Sequence, residues 1–522
     1  MKTSTLLLLF FACAASARAD VKLPAIFSDH MVVQADASVP VWGWAGPGEE
    51  VTVSFASQSK TTKAGADGRW RVKLDPMPAS DEPHDMLITS SNPKSESQTE
   101  PGRRRAAQIR NLKCRDVLVG EVWLGSGQSN MALNMEAVKN APGEIAAARF
   151  PALRMFRVNS DGAATAQEDC KGSWQICSPA TARIFSATAY FFGRELHQTL
   201  GVPVGLINSS MGGTRIESWI SLEAQQRSPE LKASAEAQAK AEREYNVAAA
   251  RANFEKNLAK WEQAAAQAKT EGKVAPPAPR DPTAIRLRIG GAGGLFNGKI
   301  APLIPYAIRG VVWYQGEANS APARAVLYEH QLPALIADWR ARWGQEFPFA
   351  WVQLPNFDGG EIRDWPLMRE AMLKTLKVKN TGMAIAIDVG EANNIHPTNK
   401  QEVGHRLALW ALGSVYEKKI PSTCGPLPAG HKIRGSEVVL SFAHADGGLV
   451  AKDGELKGFV IAGEDKKWVR ATAKIEGGNV IVSSPQVPKP AAVRYAWENN
   501  PVCNLYNGVG LPASPFRTDD WK

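Results

Sequence analysis

The chain is poor in the groups that usually announce metal or redox chemistry. It has 6 cysteines and 8 histidines in 522 residues. Neither a Cys-x-x-Cys nor a His-Glu-x-x-His spacing occurs among them, which excludes the common zinc and dithiol motifs and leaves no metal or other cofactor expected. Beyond the N-terminal leader no apolar run is long enough to span a bilayer. Charge of one sign is also scarce: Lys+Arg 61 against Asp+Glu 52 gives +9, a modest excess for this length. The one dense cluster, Arg103-Arg104-Arg105, sits in a Pro/Gly-flanked turn without interleaved aromatics. It reads as a solvated loop, and no nucleic-acid partner is expected.

What is there is ordinary globular composition, 44% hydrophobic and 22% charged. The length exceeds what one core usually supports, so two or three domains are expected. Residues 1–19 have the form of a secretory leader: Lys2, the apolar run from Leu6 to Ala15, then Ala17-Arg18-Ala19 as a small-x-small cut site before Asp20. Cys13 after Ala12 resembles a lipoprotein signal, but Phe10-Phe11 are too bulky for that site. The expected product is exported, secreted or periplasmic, and cut after Ala19. Five cysteines then remain, an odd count that excludes complete pairing within the chain. Cys170 and Cys177 bracket a short loop around Trp174 and are placed to pair in an oxidising compartment.

Residues 20–113 alternate like strands of a small antiparallel sandwich. Val39–Trp44, Val51–Phe55 and Trp70–Leu74 are separated by the turn signals Gly46-Pro47-Gly48 and Asp67-Gly68. Trp42, Trp44 and Trp70 suit its core better than a sugar-stacking platform. From 114 to about 420 the pattern becomes α/β: strands Val117–Leu124, Val204–Ile207, Gly310–Tyr314, Phe349–Gln353 and Met383–Asp388 alternate with helices Ala187–Leu200, Leu332–Trp343, Leu367–Lys377 and Thr398–Ser414. Such alternation predicts a parallel sheet with helices on both faces and a ligand crevice at the strands' carboxyl ends. A segment over about 222–282 interrupts it. Within it Val247, Phe254, Leu258 and Trp261 fall on one helical stripe, closed by Pro276-Pro277-Ala278-Pro279, so a helical insertion is expected. Residues 421–522 are β-rich again, and their aromatic, proline-rich end is expected to pack back onto the α/β unit.

The chemistry centres on Gly125-Ser126-Gly127-Gln128-Ser129-Asn130-Met131. An apolar strand, a small-residue turn, a serine and a helix present a hydroxyl at a sheet edge. Asn130-Met131 stand where a Gly-x-Ser-x-Gly elbow has its second glycine. Two further glycine turns follow strands, Met211-Gly212-Gly213-Thr214 and Trp313-Tyr314-Gln315-Gly316-Glu317, where a backbone N–H can approach an oxyanion. His396, in the loop Ile395-His396-Pro397, is the histidine placed to act as base: Pro397 keeps it out of helical geometry on the same sheet edge. His405 is the nearest rival, but it falls on the following helix. Gly290-Gly291-Ala292-Gly293-Gly294 lacks the Lys-Ser/Thr of a phosphate cradle and is a loop.

Gly-Gln-Ser-Asn-Met after Val-Trp-Leu, with Trp-Tyr-Gln-Gly-Glu-Ala-Asn and Ile-His-Pro-Thr-Asn-Lys downstream, resembles the sialate O-acetylesterases, of the SGNH (GDSL-like) serine esterases. The resemblance covers nearly the whole mature chain. It implies Ser129 as nucleophile, His396 as base, and an oxyanion hole from the Ser129 and Gly213 N–H groups with the Gln315 side chain. It implies an O-acetylated glycan or sialic acid as substrate. Glu317 and Asn319 are expected to brace their loop. The pattern departs where such esterases carry Asp shortly before the histidine, for here stand Asn393 and Asn394. Either Asp388, at the end of the preceding strand, orients the imidazole, or a Ser-His dyad operates. Acetylxylan-type esterases and a catalytically inert glycan binder on the same frame are the alternatives.

Overall fold

The computed structural model describes residues 21–91, 110–279, 281–360 and 363–521. The leader, its cut site and the Arg103-Arg104-Arg105 cluster lie outside these residues.

One strand, Arg110–Gly127, runs through two layers of the molecule. Its first half pairs antiparallel with Ser80–Ser91 and parallel with Val32–Gln34, closing the N-terminal sandwich. Its second half sits between Val204–Ser210 and Gly310–Tyr314, parallel to both. The expected boundary after residue 113 therefore falls inside a continuous strand, and a single apolar core runs from Val21 to Leu412. Valine and tryptophan fill this strand because both of its faces are covered; Val122, Trp123 and Leu124 have no exposed surface.

The central sheet has the order Thr381–Ile385, Phe349–Gln353, Gly310–Tyr314, Arg110–Gly127, Val204–Ser210, Phe150–Arg157, Trp174–Cys177. The last pair is antiparallel and the others parallel. The chain fills one side of Arg110–Gly127, ending on its neighbour Val204–Ser210, and then crosses to the other side and works outward, so that strand lies at the reversal where open sheets place their ligand crevice. The fold is the expected α/β sheet with β-rich flanks. Phe150–Arg157 and Trp174–Cys177 were not expected from the sequence, since Arg154 and Gln175 blur their patterns; Arg154 is buried because Asp116 holds it at 2.8 and 3.0 Å.

Cys170 and Cys177 are free and buried, and desolvation pushes their thiols up to about 12 and about 11. The possible disulfide between them is not formed in this structure, where Cys177 ends the edge strand Trp174–Cys177 and Cys170 lies in the loop ahead of it. The tryptophans of the sandwich divide. Trp70 is core, Trp42 is half-buried edge-on to Phe27 at 4.7 Å, and Trp44 donates to Glu168 at 3.2 Å.

The insertion forms helices Leu222–Arg227, Pro229–Glu244, Val247–Thr270 and Pro282–Ile289. Leu231 and Ala235 anchor it. Val247–Thr270 buries no residue fully; Phe254, Leu258 and Trp261 form a half-buried stripe, and Trp261 donates to Pro276 O at 2.6 Å. The C-terminal region has its own apolar core, from Val438 to Phe516. It is tied to the sheet unit by buried Arg369, which donates to Glu498 O and Asn499 O at 2.7 and 2.8 Å, and by Arg517 on Glu370 at 2.8 and 2.9 Å.

Candidate active site

Three strand ends converge. Gly127 closes Arg110–Gly127 at φ +137, where an added Cβ would meet Tyr314 O at 2.1 Å. Only glycine fits, and the close approach sets the turn to Ser129 against the end of Gly310–Tyr314. From the other neighbour, Val204–Ser210 runs into Met211-Gly212-Gly213, and Gly212 lies against Ser129. Beyond Thr381–Ile385 the loop carries His396, and His396 Nε2 meets Ser129 Oγ at 2.8 Å. Residues 267 apart in sequence are thus in hydrogen-bond contact, and the geometry is that of a nucleophile and its base.

The neighbouring serines Ser126 and Ser209 and the rival histidine His405 are occupied elsewhere. Ser126 Oγ donates to Ser209 O at 2.6 Å and Ser209 Oγ to Lys299 O at 2.9 Å, both fully buried. His405 pairs with Glu195 at 2.9 Å, and that carboxylate raises its pKa above the ordinary value. Burial, and then the nearby Lys400 charge, lower the His396 pKa below 6.5, which favours the neutral imidazole a base requires.

Asp388 does not orient His396. It lies in the turn after Thr381–Ile385, where Arg406 takes both its oxygens at 2.6 and 2.9 Å and the Tyr506 hydroxyl adds a bond at 3.1 Å. Buried Arg406 is the reason: a guanidinium in the core needs a bidentate acceptor, and Asp388 supplies it. Among the described residues His396 Nδ1 makes no hydrogen bond. The loop is held by its main chain instead. Asn394 Oδ1 accepts from His396 N at 3.0 Å while its Nδ2 donates to His396 O at 2.9 Å. Glu391 accepts from Asn394 Nδ2 at 2.9 Å and from Thr398 N and Oγ1 at 2.7 Å. Asn394 is therefore the loop's clasp, and Asn393 is exposed.

For the oxyanion, the Ser129 and Gly213 N–H groups make no hydrogen bond among the described residues. Gly213 sits at φ +72, with open space where a side chain would project. Gln315 is fully buried. Its Nε2 donates to Asn319 Oδ1 at 2.8 Å and has longer contacts of 3.2 Å to Gln128 Oε1 and Thr214 O, while Tyr328 donates to its Oε1 at 2.9 Å. An oxyanion would have to displace one of the two longer contacts. Glu317 and Asn319 are buried braces, with Asn319 Oδ1 also accepting from Ile216 N at 3.0 Å. Among the described residues no three His, Cys, Asp or Glu side chains converge to hold a metal ion, and no helix is long and apolar enough to cross a membrane.

Residues 119–252 and 298–412 match the family model described as "Carbohydrate esterase, sialic acid-specific acetylesterase". The two stretches flank the outer part of the helical insertion. The sialate O-acetylesterase of Rattus norvegicus is 30% identical over 98% of this chain and 96% of its own length, and that of Homo sapiens 29% identical over 96% and 93%. The chain belongs to the sialate O-acetylesterase family. It is a carboxylic ester hydrolase acting as a carbohydrate O-acetylesterase. A crystal structure of a carbohydrate acetylesterase from Xanthomonas citri is similar along the whole molecule, with TM-score 0.78, 34% identity, and 96% of this chain and 100% of that chain covered.

Sequence reasoning took Glu317 only as a loop brace and missed the buried cluster it forms next to this esterase's serine, in which Asn130 is bonded to both Lys400 and Glu317. One signal was present. Lys400 opens the helix Lys400–Ser414, where a cation opposes the helix dipole and would ordinarily be avoided.

Proposed function

We propose that this protein is an exported serine esterase of the SGNH type that removes O-acetyl groups from sialic acids. The observation that carries the mechanism is the 2.8 Å contact between Ser129 Oγ and His396 Nε2 at the carboxyl edge of the sheet. Ser129 attacks the acetyl carbonyl as His396 takes its proton. The oxyanion is met by the Ser129 and Gly213 N–H groups and by Gln315 once it gives up a longer contact. His396 then protonates the departing sugar oxygen, and water, activated by the same imidazole, releases acetate from the acyl-enzyme. No carboxylate accompanies the imidazole among the described residues, so the pair works as a dyad.

Two observations support a sialic acid. The curated relatives carry that substrate in their names. Arg215, two residues past Gly213, is exposed and only loosely paired with Glu217 at 4.0 Å, a cation of the kind a sialic acid carboxylate would need. The similarity to the Xanthomonas citri carbohydrate acetylesterase supports the second reading, a neutral acetylated polysaccharide such as xylan. The leader of residues 1–19 supports export with cleavage after Ala19.

Ser129→Ala should lower kcat on p-nitrophenyl acetate by on the order of 10⁴-fold or more with the circular dichroism spectrum intact. Near-normal turnover by this variant would end the serine mechanism. Acetate release from 9-O-acetylated sialic acid, measured beside acetylated xylan, decides the substrate: preference for xylan would replace the first reading with the second.

A further inference from the structure

Main-chain carbonyls on both sides of His396 are held by buried side chains, one beside the nucleophile and one at the start of the following helix. Asn130, the residue after Ser129, donates from Nδ2 to Ile395 O at 2.9 Å. Lys400 donates from Nζ to Pro397 O at 2.7 Å. The two holders are themselves joined, Lys400 Nζ to Asn130 Oδ1 at 2.7 Å, and Asn130 Nδ2 also donates to Glu317 Oε1. Asn130, Lys400 and Glu317 are each no more than 2% exposed.

The chemistry of the three fixes one arrangement. A buried amide can turn over, exchanging its donor and acceptor ends. Here an amine that donates meets one end of Asn130 and a carboxylate meets the other, so Oδ1 must face Lys400 and Nδ2 must face Glu317. The remaining Nδ2 hydrogen then falls on Ile395 O. Among the described residues Glu317 Oε2 has no hydrogen-bond partner, a costly state for a buried acid.

We infer that Lys400, Asn130 and Glu317 are positioning residues that lock the backbone at 395–397 and so set His396 Nε2 on Ser129 Oγ, the task that an orienting carboxylate performs in a triad. The inference rests on the proposed serine mechanism. Burial lowers the Lys400 pKa to about 7 and raises that of Glu317 above its ordinary value, so the packing disfavours the charged form of each.

Asn130→Asp removes the donor to Ile395 O and sets two acids against each other. It should lower kcat by about 100-fold or more while KM stays within about threefold, as small displacements of a catalytic group do. The double variant Asn130→Asp with Glu317→Gln restores a donor between positions 130 and 317 but supplies none to Ile395 O. Its thermal midpoint should therefore recover while its kcat stays low. A purely structural chain would recover both, and that outcome overturns the inference, as does Asn130→Asp with kcat within about threefold of the parent. Lys400→Met, which removes only the hold on Pro397 and Asn130, should show the same kcat loss at constant KM. If these variants do not fold, a crystal structure of the unaltered enzyme decides, since water between Asn130 and Ile395 would equally overturn the inference. Failure of the serine mechanism is separately visible, as turnover retained by Ser129→Ala.

Discussion

Helices Lys400–Ser414 and Val247–Thr270 begin alike and end in opposite roles. Each follows an asparagine, Asn399 or Asn246, whose side chain accepts a backbone N–H of the first turn. The first buries Lys400, Val403, Gly404, Arg406, Leu407, Ala408, Trp410, Ala411 and Leu412; the second, longer helix buries none. Caps decide where a helix starts, but what it can carry depends on what lies against it. Lys400 and Arg406 survive in the core because Asn130, Pro397 O and Asp388 wait for them. On the exposed helix Arg251 and Glu255 lie 3.5 Å apart in water, where such a pair is worth about 0.3–0.5 kcal/mol.

The sharpest break in this contrast is Arg406→Met. It leaves Asp388 half of a broken buried pair and should cost about 3–5 kcal/mol in urea unfolding. Its partner change, Asp388→Asn, should destabilise the fold while kcat falls less than about tenfold, or about 1.4 kcal/mol. A fall of several orders of magnitude would return Asp388 to the catalytic machinery.

Next comes Gly404→Ala. An added Cβ would meet Phe191 Cβ at 2.5 Å and Phe192 N at 2.8 Å, which should cost about 1–3 kcal/mol by overpacking. On the exposed helix the corresponding change, Asn257→Ala, should be neutral or slightly stabilising by helix propensity, about 0.5 kcal/mol in the same urea titration.

A smaller effect concerns pH. His396 titrates below 6.5 because it is buried and because Lys400 repels the imidazolium. Activity should therefore persist below that value, and the acid limb of kcat/KM should move upward in Lys400→Met, when the repulsion is gone. An unmoved or lowered limb would show that Lys400 exerts no such field on His396.

The smallest effect is expected from excising the exposed helix. Arg286 donates to Ala241 O at 3.2 Å and pairs with Glu242, so the ends of the flanking helices are close. Replacing residues 246–280 by a short Gly/Ser linker should leave kcat/KM on p-nitrophenyl acetate within about twofold, a change under about 0.5 kcal/mol. Insoluble protein would show that the Phe254, Leu258 and Trp261 stripe belongs to the main core after all.

Period and punctuation in the chain were enough for the elements near the site. Gly310–Tyr314 and Phe349–Gln353 appear with the expected bounds, because continuous apolar runs between turn signals have few alternatives. Leu332–Trp343 proved to be the end of a helix beginning at Pro322, since Pro333 lies inside it and reads locally as a stop. Ser129 was legible from its strand and turn, and His396 from the proline that holds it in a loop. Their contact is observed at 2.8 Å.

The order of partners around that contact was decided by the tertiary structure alone. Asp388 and the Asn394 clasp both stand shortly before His396, and nothing local separates their tasks. Arg406, brought up by its helix, claims Asp388. Lys400 and Asn130, 270 positions apart, meet only when the sheet has closed. Amino-acid type and local pattern determined which groups could donate, accept or turn. Which of them did so was settled by burial, because a charged or polar group removed from water must take the partner that the packed chain brings to it.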